Sequence, residues 1–94
     1  MSNDIERELE KDDSKFERNP GIHDGLGQCY HALGNWNKAF ENYDTAIEKA
    51  PANAEFYMHR SLCYYDQQKQ MGTKAFGPAI QDMQSAIEED QGNP

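Results

Sequence analysis

From residue 20 onward the apolar residues recur at helical spacing, in steps of three and four, between short polar segments rich in Gly, Asn and Pro. The pattern predicts four helices. Their stripes are Ile22, Leu26, Cys29, Tyr30 and Leu33 in the first; Trp36, Ala39, Phe40, Tyr43, Ala46 and Ile47 in the second; Phe56, Tyr57, Arg60, Cys63 and Tyr64 in the third; and Ala79, Ile80, Met83, Ala86 and Ile87 in the fourth.

Turn-forming residues separate these stripes. Pro20 suits the first position of a helix, and Asn19 before it suits the N-cap. Gly34 and Asn35 interrupt the first and second stripes. The polar stretch 66–74 stands between the third and fourth, so we expect the longest connection there.

The segment before Asn19 is dense in charge. Ile5, Leu9 and Phe16 form a thin stripe at spacings of four and seven residues, which is too little apolar surface to hold a helix alone. We predict a charged N-terminal helix or tail over 1–18, ordered only if it packs on the helices after Asn19.

The two helix pairs are related by an internal repeat. At an offset of 34 residues Cys29 aligns with Cys63, and Tyr30 with Tyr64. At an offset of 40 the second helices align: Trp36 with Phe76, Ala39 with Ala79, Ala46 with Ala86, Ile47 with Ile87 and Glu48 with Glu88. We therefore predict one repeat over 20–53 and a second over 54–93, with an insertion near 67–74.

These residues resemble the tetratricopeptide repeat (TPR) family. The matching positions are Leu26, Gly27, Tyr30, Gly34, Trp36, Ala39, Tyr43, Ala46 and Pro51 in the first unit, and Tyr57, Tyr64, Phe76, Ala79, Ala86 and Ile87 in the second. The resemblance implies an all-α helix-turn-helix repeat array, an α-solenoid, in which two TPR-like units of four helices occupy 19–94. It also implies that Cys29 and Cys63 share a small, buried position.

Composition supports the all-α class and restricts the partners. Val is absent, with two Thr and five Ile, so a sheet is improbable. The formal net charge of −8, with only nine Lys and Arg, argues against nucleic acid and anionic membranes as partners. We expect a basic or amphipathic protein segment instead.

Candidate chemistry is sparse. We find no catalytic constellation, no phosphate-cradling loop and no Cys/His cluster with metal spacing, and therefore predict a protein that is not an enzyme and has no cofactor and no metal. Two Cys at repeat-equivalent positions are too far apart for a disulfide, which fits a reducing, cytoplasmic location.

The resemblance places partner binding on the concave face, formed by the first helix of each unit. The predicted residues are Asp24, Gln28, His31, Glu55, Met58, Leu62 and Tyr65, an acidic and apolar set without Lys or Arg. Some family members bind chaperone tails ending in Glu-Glu-Val-Asp through a clamp of Lys, Asn and Arg. Here Asp24 stands in place of the first Lys of that clamp, and it would repel a carboxylate.

The function predicted is thus a protein-protein interaction module, or scaffold, that binds a partner segment on this face. The alternative is structural. Ile80 and Ile87 of the fourth helix have no following helix to cover them, so the chain could self-associate as a homo-oligomer or belong to a longer array.

Overall fold

The computed structural model describes residues 19–91, which form four helices and no strand. They are α1 (Pro20–Ala32), α2 (Trp36–Lys49), α3 (Ala54–Met71) and α4 (Gly77–Gln91). The predicted all-α class is confirmed. The predicted N-terminal helix or tail lies outside the described residues. Within 19–91, no helix combines the length and the apolar character needed to cross a membrane.

An Asn side chain begins each of the first three helices. The side-chain oxygens of Asn19, Asn35 and Asn53 accept hydrogen bonds from backbone N–H groups of α1, α2 and α3 respectively. Pro20 stands in the first turn of α1, as predicted. These caps satisfy backbone donors that have no partner within the helix.

The turn between α1 and α2 is as short as its sequence suggests. Gly34 takes a left-handed conformation with φ of 74°, which Gly adopts at little cost. The backbone N–H of Asn35 donates to the carbonyl of Tyr30 over 2.9 Å, and that of Gly34 donates to His31 over 3.0 Å. This bond pair ends α1 as Asn35 begins α2, so the two helices form a tight hairpin.

The α1–α2 hairpin closes on a glycine. A Cβ atom at Gly27 would lie 2.7 Å from two ring carbons of Tyr43, so the ring can pack there only because Gly27 has no side chain. Tyr43 is fully buried with Ala39, and Cys63 of α3 completes the same cluster. The ring of Phe40 packs on that of Tyr64, with centroids 4.3 Å apart, which joins α2 to α3.

Polar bonds join α3 to α4. The Arg60 guanidinium makes two hydrogen bonds with the buried carboxylate of Asp82, at 2.7 and 2.8 Å, and a third with Asp44 of α2 at 2.7 Å. The bonds with Asp82, helped by Asp44, raise the pKa of Arg60 above its ordinary value. The hydroxyl of Ser61 donates to the carbonyl of Ala79 over 2.7 Å. One arginine therefore holds three helices together.

The connection between α3 and α4 is shorter than predicted, because α3 continues to Met71. It has 18 residues where α1 has 13. Residues 67–71, which we assigned to the insertion between helices, are helical. The helix ends at Gly72, whose φ is 71°.

The predicted stripe of α1 is partly wrong. Leu33 is 79% exposed and Cys29 is also exposed, whereas Asp24 and Gly27 are buried. The reason is that α2 and α3 both pack on the side of α1 that carries Asp24 and Gly27. The prediction of a buried Cys holds for Cys63 and fails for Cys29.

Candidate functional site

A groove of about 730 Å³ opens between the α1–α2 turn and the C-terminal half of α3. We call it the turn groove. It is lined by Gln28, His31, Ala32, Leu33, Gly34, Trp36, Tyr43, His59, Leu62, Asp66 and Gln70.

The length of α3 builds one wall of the turn groove. Leu62, Asp66 and Gln70 follow one another at intervals of four residues, so they lie on one face of the helix. Asp66 is the repeat equivalent of Ala32, where α1 ends, and Gln70 lies in the continuation beyond it. The residues that lengthen the second repeat therefore raise this wall past the α1–α2 turn.

A chain of hydrogen bonds crosses the groove floor. His31 Nε2 is 2.7 Å from a carboxylate oxygen of Asp66, and His31 Nδ1 is 3.3 Å from the hydroxyl of Tyr43. A carboxylate only accepts, so Nε2 donates to Asp66, and in the neutral ring Nδ1 accepts from Tyr43. Burial raises the pKa of the Tyr43 hydroxyl well above its ordinary value, which keeps it a donor. This chain fixes α1, α2 and α3 at the groove.

A second polar cluster lies beneath the first. Asp24 is only 6% exposed, and its carboxylate accepts from Gln28 Nε2 at 2.9 Å and bonds His59 Nδ1 at 2.9 Å. Asp24 therefore does not line the turn groove. A carboxylate buried with these partners positions His59 and Gln28, which do line it.

The structure divides the predicted concave-face residues between two grooves and leaves Asp24 and Tyr65 outside both. Gln28, His31 and Leu62 line the turn groove, and Asp24 lies below it. Glu55 and Met58 line a separate groove of about 330 Å³, which we call the end groove. Its other lining residues are Ala54, Met83, Ala86, Ile87 and Asp90.

Tyr65 lines neither groove. Its ring lies 5.4 Å from that of Phe76, and the ammonium group of Lys69 lies 5.4 Å from the Tyr65 centroid. The four predicted residues of α3 do follow one stripe of that helix, but the two grooves lie toward opposite ends of it, and Tyr65 turns toward the α3–α4 loop.

Several lining residues escaped the sequence argument. Trp36 is half-buried, and its ring centroid is 5.9 Å from that of His31. Leu33 is predicted to face the core because it is apolar, yet it is exposed at the edge of the turn groove beside Gly34. The adjacent Gly-Asn turn was the available signal, since a residue at a tight turn has little to pack against. Asp66 carried no local signal, because its role depends on where α3 ends.

The chemistry of the turn groove suits recognition by contact. Leu33, Trp36 and Leu62 supply apolar surface, and Asp66 supplies a half-exposed carboxylate. Of the residues in 19–91 that line it, none is Lys or Arg. Within the same range, no group of three or more His, Cys, Asp or Glu side chains is placed to hold a metal ion.

A family model described as TPR repeat matches residues 27–68. The match supports assigning this part of the chain to the tetratricopeptide repeat family. No curated protein and no solved structure matches the chain. The TPR match runs from the Gly27 contact through Gln68 in α3, so it contains the α1–α2 turn and most of the turn groove. The TPR match supports a general function as a protein-interaction module.

Proposed function

We propose that this TPR protein binds an exposed segment of a partner protein in the turn groove. An apolar side chain of the segment lies between Leu33 and Leu62, and a Lys or Arg beside it pairs with Asp66. The observation that carries this proposal is the lining itself, which joins apolar walls to an accessible carboxylate with no described cation among its residues.

Electrostatics favours a basic segment over an acidic one. A basic side chain at Asp66 gains a charge-assisted hydrogen bond, whereas an acidic side chain or chain terminus meets a like charge. The formal net charge of −8 adds a long-range attraction for basic partners. His31 already donates to Asp66, but the carboxylate retains further acceptor capacity.

Selection from a library of random displayed peptides tests this proposal. We expect the enriched peptides to be basic and to share one large apolar residue. In titrations with a selected peptide, Leu33→Glu should weaken binding by about tenfold or more, since it replaces an apolar contact with a charged side chain. Asp66→Asn should reduce the preference for basic over acidic peptides.

Met71→Glu is the matched control. Leu33 and Met71 are both exposed side chains at the C-terminal end of a helix, but only Leu33 lines the turn groove. The control should bind as the wild type does. Enrichment of acidic peptides, or an equal loss in the two Glu variants, would reject the proposal.

We also infer that the protein acts without catalysis and in the cytoplasm. The support is its family and its two free thiols, of which Cys29 is exposed to any oxidant. Fractionation of cells that express a tagged full chain checks the location, and recovery from the secreted fraction would contradict it.

A further inference from the structure

The end groove corresponds to a surface that is covered in the first repeat. By the offsets of 34 and 40 residues, Met58 is equivalent to Asp24 and Met83 to Tyr43. Asp24 and Tyr43 are buried, and α3 contacts both: His59 bonds Asp24, and Cys63 packs in one cluster with Tyr43.

The equivalent surface of the second repeat stays open in the described structure. Met58 is 37% exposed and Ile87 is 49% exposed, and both border the end groove between the start of α3 and the end of α4. The first repeat shows which kind of element fits such a surface, because a helix, α3, occupies it there.

The second surface requires a different helix from the first. In the first repeat the covering helix presents His59 to a carboxylate, whereas the equivalent position here is Met58. The groove floor is therefore apolar, with Met83 and Ala86 beside Met58. An occupant gains most by burying apolar side chains at helical spacing against it.

The rim of the end groove selects the charge of the occupant. Glu55 and Asp90 border it, and no residue in 19–91 forms an ion pair with either. A second copy of the chain brings a further charge of −8, and 1–18 carries seven acidic and four basic residues. Both are poor matches for an acidic rim, and a basic helix is a good one.

We propose that the end groove docks an amphipathic helix of a partner protein. The helix places apolar side chains at intervals of three and four residues against Met58, Met83 and Ile87. Its flanking Lys or Arg residues pair with Glu55 and Asp90. This site is separate from the turn groove, at the other end of α3, and neither site requires the other.

Fluorescence anisotropy with designed peptides and the full chain tests the proposal. One probe is a labelled helix of about 15 residues built of Leu and Lys at amphipathic spacing; the second replaces every Lys by Glu. We expect the Leu/Lys probe to bind, and the Leu/Glu probe to bind at least about tenfold more weakly.

Two exposed isoleucines of α4 provide a matched pair of variants. Ile87→Gln should weaken binding of the Leu/Lys probe by about tenfold, because it removes an apolar contact of the groove. Ile80→Gln should change it less than about twofold, since Ile80 is 57% exposed but does not line the groove. The same titration with Leu33→Glu separates the two sites, because a probe held in the turn groove loses affinity in that variant, whereas a probe held in the end groove loses it in Ile87→Gln.

Three results would overturn the proposal. Equal effects of the two Gln variants would mean that charge alone attracts the probe. A wild-type dimer that Ile87→Gln dissociates would show that a second copy occupies the groove. Binding by a chain that lacks 1–18, without binding by the full chain, would show that the segment covers the groove itself.

Discussion

The two helix hairpins share one arrangement but differ in the residues that make contact where their helices cross. Gly27 and Ser61 occupy the same repeat position, at the crossing of the two helices. In the first hairpin the Tyr43 ring fills the space that Gly27 leaves. In the second, Met83 takes the place of Tyr43, and Ser61 donates to the carbonyl of Ala79.

The neighbouring positions differ in the same direction. Leu26 of the first hairpin is replaced by Arg60 in the second, and Asn42 by the buried Asp82. The repeat therefore determines where the helices cross, while the first crossing is closed by the Tyr43 ring against Gly27 and the second by the bonds of Arg60 and Ser61. Substitutions at the two helix crossings should therefore lower the stability of the protein for different physical reasons.

The largest effect should come from Arg60→Met. Removing the guanidinium leaves the Asp82 carboxylate buried and unpaired, which should lower the free energy of unfolding by about 3–5 kcal/mol. Urea denaturation measures it. Asp44→Asn is the control: Asp44 is mostly exposed, so the loss should stay within about 1 kcal/mol. Equal losses would mean that Asp82 does not depend on its arginine, and the contrast between the hairpins would disappear.

Gly27→Ala should be the next most damaging change. The added Cβ forces the Tyr43 ring aside, at a cost of about 1–3 kcal/mol, only partly offset by better helix propensity. Gly25→Ala is the matched control in the same helix, where a Cβ would meet nothing within 4 Å. It should stabilise by about 0.5–1 kcal/mol in thermal and urea melts. If Gly27→Ala stabilised the protein instead, the Tyr43 ring would not be packed tightly against Gly27.

The two cysteines extend the comparison to alkaline pH. Burial raises the pKa of Cys63 from 9.0 to about 12. Between these values the unfolded chain loses the thiol proton and the folded chain keeps it, so stability falls with rising pH by up to about 1.4 kcal/mol per pH unit. Burial also raises the pKa of Tyr43 and Tyr64, which steepens the fall above pH 10.

Urea titrations between pH 8 and 10.5 measure this slope. Cys63→Ala should flatten it from about pH 9, and Cys29→Ala should leave it unchanged because Cys29 is exposed. If the slope does not depend on Cys63, that thiol reaches solvent in the folded protein, contrary to its burial.

The smallest effect expected is that of Ser61→Ala. It removes the hydrogen bond to the Ala79 carbonyl and should lower stability by about 1 kcal/mol. The loss is small because the substitution removes the polar hydroxyl itself, whereas Arg60→Met leaves the Asp82 carboxylate buried without its partner. No loss of stability at all would mean that, of these two residues, only Arg60 stabilises the crossing of α3 and α4.

Sequence reasoning succeeded where the cause of the structure is local. The apolar periodicity predicted the four helices, and Asn19 and Gly34 predicted a start and an end, since caps act within a few residues. The end of α3 was not predictable this way, because residues 67–70 are polar, Met71 is exposed, and exposed helix positions need no apolar side chain.

The site was predictable only in part, for a related reason. Of the residues predicted for the concave face, Gln28, His31 and Leu62 line the turn groove. Asp66 and His59 take their roles from contacts with residues 35 positions earlier, His31 and Asp24. Such pairs depend on how three helices pack, which no pattern along one helix contains.

Because α3 continues past the α1–α2 turn, the lining of the turn groove depends on the direction in which each residue of that continuation points from the helix axis. Each residue of a helix advances the chain by 1.5 Å and turns it by about 100°. Asp66 and Gln70 face the same way because four residues separate them. Inserting one residue between them would turn Gln70 by about 100° out of the groove, whereas inserting four would turn it by only about 40°. The part of α3 that lines the turn groove can therefore lengthen or shorten only by about one helical turn at a time if the same face is to remain toward the groove.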